Sequence, residues 1–317
     1  MGPDDLESVN PIVRAESSGR VLFEAMRPQQ WVKNFPVFAG LVFGGQLFIG
    51  EQVLRAGEAF AAMCLAASAT YLFNDLRDRD ADRQHPLKRS RPIASGRLSE
   101  ARALGAVLLL TVAALAIGFV LAPSAGVVLV AYLALTTIYS VVAKHVVILD
   151  VMVLAAGFVL RVLLGAFAVG VPASYWLLLC TFTVALFLGF GKRRAELLNL
   201  ESAAVNHRPV LGQYSPVFLD QMIAIVTSAT LVCYILYTVD RRTAEVFHTR
   251  LLVLTVPFVL YGLFRYLYLL YHRQRGDSPT TTILLDPAFL LNGLLWAAAC
   301  VAVIYGHETI EQWIHIE

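Results

Sequence analysis

Apolar residues run through this chain in long continuous stretches rather than in strand-like alternation, and the stretches are divided by proline, glycine or clustered charge. A helix that crosses the hydrocarbon core needs about 20 mostly apolar residues. Nine stretches approach that length: Phe35 to Ile49, Ala56 to Phe73, Ala103 to Leu121, Ala125 to Val142, Val147 to Val169, Ala173 to Phe190, Pro216 to Val239, Leu251 to Tyr271 and Pro287 to Tyr305. Continuous runs favour helices over a barrel, whose strands alternate. The pattern predicts an all-α polytopic membrane protein with nine transmembrane helices in residues 27–306. Polar tails, 1–26 and 307–317, flank that domain. The first lacks the basic start and apolar core of a signal peptide and reads as cytosolic.

Composition strengthens the membrane reading, because hydrophobic residues make up 58% and charged residues 15%, against about 25% charge in soluble domains. Lys+Arg 25 against Asp+Glu 23 gives a net charge of +2, too close to neutral for bulk attraction to nucleic acid. Any polyanionic partner must be bound locally. Cys64, Cys180, Cys233 and Cys300 each sit inside an apolar run without a C-x-x-C pair, which excludes a disulfide framework or zinc site and leaves them as packing residues.

The basic residues set an orientation, since short cytoplasmic loops retain Lys and Arg. Nineteen fall in the first tail and in the loops after spans two, four, six and eight, whereas the alternate loops hold only Arg55, Arg241, Arg242 and Arg250. Arg161 and Arg265 lie within spans. The N-terminus is therefore expected in the cytoplasm and the C-terminus outside.

The charged loops collect chemistry on that cytoplasmic face. Span two ends in NDLRDRDAD, Asn74 to Asp82. On a continuous helix, at about 100° per residue, Asp75, Asp78 and Asp82 fall within one narrow stripe while Asp80 points away. Like charges so close call for a cation between them, and an all-carboxylate set suits a hard ion such as Mg²⁺, completed by water and phosphate. A solvated charged loop is the plain alternative, but Asp75 and Asp78 lie at the end of an apolar span and Asn74 one step inside it, where ionisable groups are costly and usually functional. Lys88, Arg89 and Arg91 follow, with Pro92 and Gly96 shaping a turn. Positive-inside topology accounts for some of these cations, yet not for their place beside the carboxylates. Together the groups describe a diphosphate site.

Further groups lie on the same face: Lys33 and Asn34 before span one, Tyr139, Lys144 and His145 after span four, Asp150 at the head of span five, and Lys192, Arg193, Arg194, Glu196 and Glu201 after span six. His85 and His145 read as surface histidines. Arg161, some three turns into span five, is either paired within the bundle or lines a polar cavity. Asp286 and the RGDSPTTT stretch before it form a lid or a cap for span nine, the cap being favoured.

At these residues the chain resembles the UbiA superfamily of intramembrane prenyltransferases. The matching elements are RPQQWVKN at Arg27 to Asn34, the Asn-Asp-x-x-Asp-x-x-x-Asp motif at Asn74 to Asp82, and RPIASG at Arg91 to Gly96. The resemblance implies helices around a central cavity, capped by cytoplasmic loops, with a diphosphate bridged by Mg²⁺. One departure is informative: members of this superfamily carry a second Asp-x-x-x-Asp motif after span six, where this chain has Lys192-Arg193-Arg194-Ala195-Glu196. That pattern, with HPLKRSRP at His85 to Pro92 and YSVVAKHVVILD at Tyr139 to Asp150, is similar to the actinobacterial decaprenyl-phosphate phosphoribosyltransferase branch, which makes a precursor of cell-wall arabinan.

The branch resemblance implies transfer of 5-phosphoribosyl from phosphoribosyl diphosphate to a polyprenyl (decaprenyl) phosphate at the plasma membrane. Asn74, Asp75, Asp78 and Asp82 would be the catalytic group and the three aspartates the Mg²⁺ ligands. Lys33, Lys88, Arg89, Arg91, Tyr139, Lys144, Asp150, Arg161, Lys192, Arg193, Arg194 and Glu196 would bind substrate, with Lys88, Arg89, Arg91, Lys144 and Lys192 to Arg194 on the donor's phosphates. The rivals are a prenyltransferase acting on an aromatic acceptor, which shares the Mg²⁺ site but expects the second Asp motif, and a transporter, which expects internal repeats. Lipid-facing helix surfaces are able to hold a homo-oligomer together.

Overall fold

A computed structural model of the protein describes residues 17–86, 88–199, 209–272 and 285–314, without the side chains of 199, 209 and 307–314. Among the described residues the structure is helical, with no strand. Eight segments are long and apolar enough to cross a membrane. They are α3 (Gly50–Arg77), α5 (Glu100–Leu121), α6 (Pro123–Val141), α7 (Leu149–Ala168), α8 (Tyr175–Asn199), α9 (Pro216–Val239), α11 (Val256–His272, extended at its start by a 3-10 turn) and α12 (Pro287–Ile314). Shorter pieces are α1 (Ser18–Ala25), α2 (Ala39–Phe43), α4 (Arg79–Gln84) and α10 (Arg241–Phe247).

Local sequence explains where these helices begin. Pro123 opens α6 and Pro216 opens α9, positions where proline's missing N–H removes no helical bond. Ser215 caps α9 by accepting from the Phe218 N–H at 3.2 Å. Asp286 caps α12 by accepting from the Phe289 N–H at 2.8 Å, and Arg265 Nη2 donates to its other oxygen at 2.8 Å. The cap reading of Asp286 therefore holds, while RGDSPTTT lies outside the described residues. On α5, Leu104, Leu108 and Val112 recur every four residues and are all exposed, one apolar stripe of the kind a membrane-spanning helix turns to its apolar surroundings.

The first expected span, Phe35 to Ile49, is not a continuous α-helix. It divides into a 3-10 helix, Pro28–Phe38, then α2, then a turn through Gly44 and Gly45. Pro36 inside the segment cannot donate a backbone hydrogen bond, and Gly45 takes φ +70°. The segment nevertheless covers the depth of the bundle. Arg27 meets Asp75, Trp31 Nε1 donates to Ser68 at 3.1 Å, Asn34 contacts Cys64, and Leu41 clusters with Ala56, so it runs antiparallel to α3 from end to end. Residues 28–43 reach about 30 Å, because a 3-10 helix rises about 2.0 Å per residue. The nine expected crossings thus resolve into eight long apolar helices and one mixed segment.

Glycines set how closely that segment lies on α7. A Cβ at Gly165 would fall 1.7 Å from the Val37 carbonyl oxygen, and one at Gly40 would fall 2.7 Å from the Ala166 backbone. Backbone therefore touches backbone, with the two elements running parallel. The principal core, including Val37, Ala59, Met63, Ala66, Leu129, Tyr132 and Leu164, joins this segment to α3, α6 and α7. A second core around Phe187, Phe190, Leu219, Ile223 and Tyr266 joins α8, α9 and α11. Val21 and Ala25 of α1 are buried with Leu72, Ile93 and Leu98, so residues ahead of 27 pack on the membrane domain, and α12 continues past 306 to Ile314.

Candidate active site

Asp75 lies in the last turn of α3 and is 3% exposed. Arg27 Nη2 donates to its two oxygens at 2.5 and 2.8 Å, and Arg91 Nη1 donates to Oδ1 at 3.1 Å. The same Arg91 nitrogen reaches Asp82 Oδ2 at 2.6 Å, and Lys88 Nζ stands 4.0 Å from Asp82. Asp78 looks elsewhere: Lys144 Nζ donates to its oxygens at 3.1 and 3.2 Å. Asn74 accepts from the Ser140 hydroxyl of α6. Asp80 turns outward to Arg79 and Arg83, as the helical phase predicts.

The single three-carboxylate stripe is not what forms. It assumed an unbroken helix, whereas the backbone leaves helical geometry at Asp78 (φ −90°, ψ 8°) and restarts as α4. Asp78, still bonded through its N–H to the Asn74 carbonyl at 2.9 Å, pairs with Lys144, while Asp75 and Asp82 converge across the break. Among the described residues no three His, Cys, Asp or Glu side chains gather as a metal-holding group. Two buried carboxylates instead share one cationic nitrogen, and the third has its own lysine. Arg89 follows Lys88 in the loop after α4 and is exposed.

A second charged group joins α7 to α8. Asp150, in the first turn of α7, is fully buried. It accepts from Arg193 Nε at 2.6 Å and from the Tyr214 hydroxyl at 2.7 Å. Arg193 Nη1 also donates to Glu196 Oε2 at 2.7 Å, and Lys192 Nζ lies 3.6 Å from Glu196 Oε1. The Tyr214 hydroxyl accepts from the N–H of Ile148, a β-branched residue at φ +68°. Such a backbone is strained, and the buried Tyr214–Asp150–Arg193 chain is what holds it. Tyr139 lies within electrostatic reach of Arg193.

Arg194 points away from this group. Its Nε donates to Asp220 at 2.5 Å, and its guanidinium lies 4.1 Å from the centre of the Tyr271 ring. The expected Lys192–Arg193–Arg194 cluster is thus not one cationic face, since three consecutive helical residues project in three directions about 100° apart. Arg193 and Arg194 are each held by carboxylates. Glu201 lies outside the described residues.

The third group is deeper. Arg161 follows Asp150 by eleven residues, about 16 Å down α7, and is 6% exposed. Its partners are neutral: Asn34 Oδ1 at 2.8 Å, the Gly157 carbonyl at 2.8 Å and the Tyr132 hydroxyl at 3.0 Å. The Tyr132 and Phe158 rings flank it, each 4.9 Å from the guanidinium carbon. Of its two expected settings, pairing within the bundle is the observed one, but no carboxylate takes part. Nearby, half-buried Lys33 makes no hydrogen bond or ion pair among the described residues, and its charged neighbours are Lys192, Arg161 and Arg27. An apolar cavity of about 360 Å³ lies below, lined by residues that include Pro36, Phe158, Val162, Leu188 and Trp296.

Sequence reasoning assigned no role to Arg27, Asn34, Ser140, Tyr214 or Asp220. Arg27 and Asn34 bound the RPQQWVKN motif, which was the available signal. Arg27 also takes φ +54° immediately before Pro28, a conformation the sequence does not announce. Tyr214 and Asp220 had none, because each meets its partner across 64 or 26 residues of chain.

The model of the UbiA prenyltransferase family matches residues 34–294. The chain is 36% identical over 228 residues to decaprenyl-phosphate phosphoribosyltransferase of Mycolicibacterium smegmatis, covering 71% of this chain and 72% of that one. It is 37% identical over 225 residues to the enzyme of the same name from Corynebacterium glutamicum, covering 69% and 67%. A UbiA homologue from Archaeoglobus fulgidus, solved with DMAPP and Mg²⁺, superposes with a TM-score of 0.70 over 89% of this chain and 98% of the other, at 18% identity. That likeness concerns the fold.

Proposed function

The chain belongs to the UbiA prenyltransferase family, and from that premise we propose that it transfers a 5-phosphoribosyl group from phosphoribosyl diphosphate to a polyprenyl phosphate, with decaprenyl phosphate as the acceptor named by its relatives. It is a multi-pass integral membrane protein. The observation that carries the reading is the pair of buried carboxylates, Asp75 and Asp82, meeting at one cationic nitrogen, with Lys88 near Asp82 and Lys144 on the neighbouring Asp78. Such a gathering of cations matches a donor that carries a diphosphate and a further phosphate. The clustering of Lys and Arg on that face supports a site on the cytoplasmic side.

The oxygens that accept from Arg91 and Lys144 are the hard donors that a Mg²⁺ ion prefers. Asp75 and Asp82 would hold the ion in the place that Arg91 now takes as a resident cation, with Asn74 orienting them, and Asp78 would join them on exchanging Lys144 for the ion. When bound, the ion supplies charge neutralisation to the diphosphate. Lys88, Arg89, Arg91 and Lys144 would bind the donor's phosphate oxygens. Asp150, Glu196 and Tyr214 fix Arg193 and the head of α7 as one wall of the site, with Tyr139 beside it.

A phosphate oxygen of the acceptor forms the new bond to the anomeric carbon while the bond from that carbon to the diphosphate oxygen breaks. The attacking oxygen is already anionic, so no general base is required. Rate comes from juxtaposition of two anions and from charge complementarity toward the departing diphosphate. A single displacement inverts the anomeric carbon and gives a β-linked lipid phosphoribose, the kind of intermediate used in cell-wall arabinan synthesis.

The test is incubation of purified protein with labelled phosphoribosyl diphosphate, Mg²⁺ and a polyprenyl phosphate, in parallel with a prenyl diphosphate and 4-hydroxybenzoate. Label in a lipid phosphoribose is the expected result. A prenylated aromatic product without it rejects the proposal.

A further inference from the structure

We propose that Tyr214 is a positioning residue: by a hydrogen bond to the backbone of Ile148 it holds a strained turn that seats Lys144 on Asp78 at the mouth of the site. The inference rests on the proposed function only for the role of Lys144 as a cation for the donor's phosphates. Where Lys144 sits is a matter of backbone geometry, whatever the substrate.

Lys144 belongs to a short turn, Ala143–His145, that joins α6 to α7. On the α6 side the turn is fastened, because Ser140 donates to Asn74 and Ala143 is fully buried. On the α7 side the chain reverses direction through Val147, Ile148 and Leu149. The Leu149 N–H donates to the Val147 carbonyl at 2.8 Å, and Ile148 takes φ 68° and ψ −49°. This is a γ-turn of the positive-φ form, which is rare and strained. Glycine adopts positive φ at no steric cost, whereas a β-branched residue there is an outlier. The Ile148 side chain is exposed, so apolar burial does not hold it in place.

Tyr214 supplies the opposing force. Its hydroxyl accepts from the Ile148 N–H at 2.7 Å and donates to Asp150 Oδ1 at 2.7 Å, so one oxygen ties the turn to the first turn of α7. Tyr214 is itself buried, its N–H donates to the Leu211 carbonyl at 3.1 Å, and Val210 and Leu211 are buried beside it. The Pro209–Gln213 turn that precedes it packs against the Ala143–His145 turn. The connection between α8 and α9 therefore grips the Lys144 segment at two points. Without the hydroxyl, residue 148 is free to relax to negative φ, which redirects the chain only four residues from Lys144. The Lys144 ammonium meets Asp78 at 3.1 and 3.2 Å, a separation that leaves little room for such a shift. Tyr214 acts through Lys144 and touches no reacting atom.

Two measurements on the full-length protein in detergent test this. In EDTA and without substrate, modification of Lys144 by an amine-reactive ester is followed by mass spectrometry, with Lys88 as the internal reference. Tyr214→Phe, which keeps the ring and its packing, should raise the Lys144 rate relative to Lys88 by about fivefold or more, the factor that release of a strained residue allows. Ile148→Gly added to Tyr214→Phe should bring the rate back to within about twofold of wild type, because glycine holds the turn without help. In turnover, Tyr214→Phe should raise the donor KM about tenfold, as a misplaced charged hydrogen bond does, and leave kcat and the acceptor KM within about twofold. The double variant should recover the donor KM. Unchanged Lys144 modification in Tyr214→Phe overturns the proposal. So does failure of Ile148→Gly to restore it, which would mean that the hydroxyl acts through Asp150 and Arg193 instead. An unchanged donor KM beside altered modification removes Tyr214 from donor binding. Absence of phosphoribosyl transfer in wild type rejects the proposed function and leaves the seating of Lys144 to be decided by the modification rates alone.

Discussion

At one end of the bundle Arg55 donates to the carbonyls of Ala168 and Leu121, each at 2.8 Å, whereas at the other Arg91 donates to Asp75 and Asp82. Ala168 and Leu121 are the last residues of α7 and α5, so Arg55 satisfies carbonyls that have no helical partner and lies where the helix dipoles are negative. Those acceptors are permanent parts of the backbone. The partners of Arg91 are side-chain carboxylates, which are able to exchange a guanidinium for another cation. The same residue type is thus a fastening at one end and a replaceable counter-ion at the other, and only the second arrangement supports chemistry on anions.

The sharpest way to break the contrast is at Asp78. Asp78→Asn should lower kcat/KM by about 10³-fold or more, as loss of a charge-stabilising group does, without rescue by added Mg²⁺ and without a change in thermal unfolding. Full activity in that variant would remove the carboxylates from the mechanism. Next in size is Asp150→Asn, which leaves Arg193 buried beside a neutral amide and should cost about 3 kcal/mol of stability; an unchanged melting temperature in detergent would show that the pair carries no such burden. Arg55→Ala is expected to cost about 1–2 kcal/mol through the two orphaned carbonyls, lowering the melting temperature while kcat/KM is retained. If activity fell more than stability, the division between the ends would fail.

The smallest effect belongs to Glu24. Arg97, which donates to both of its oxygens at 2.8 and 2.7 Å, holds the Glu24 carboxyl below its ordinary range. A lowered carboxylate contributes stability above the unfolded-state value, and the contribution disappears as pH falls through the folded one. The pair is largely exposed, so Glu24→Gln should cost less than about 1 kcal/mol. Hydrogen exchange in α1 should quicken slightly in the variant at neutral pH, and the difference from wild type should close below about pH 4.

The helices were legible in the sequence wherever hydrophobicity alone decides structure, as in α5 and α9. The first span was misread because length was counted at the α-helical rise, and the 3-10 geometry around Pro36 covers the same depth with fewer apolar residues. The carboxylates were found from their motif, but the stripe drawn through them needed an unbroken helix, and nothing local marks Asp78 as the residue where α3 stops. The cations were read as one population. Which of them are neutralised depends on distant partners such as Asp220 and Tyr214, and that information resides in tertiary structure. Arg161 shows the same limit: its depth was evident from position, its neutral surroundings only from the fold.

Gly165 sits four residues beyond Arg161 and bears no chemical group, yet its missing side chain is what lets the Val37 carbonyl lie against α7. A single methyl there would have to push the 28–43 segment outward, carrying Asn34 away from Arg161 and Lys33 with it. In a survey of inactivating substitutions, this glycine would therefore score like a substrate-binding residue while touching no substrate, a remote lesion transmitted by backbone contact alone.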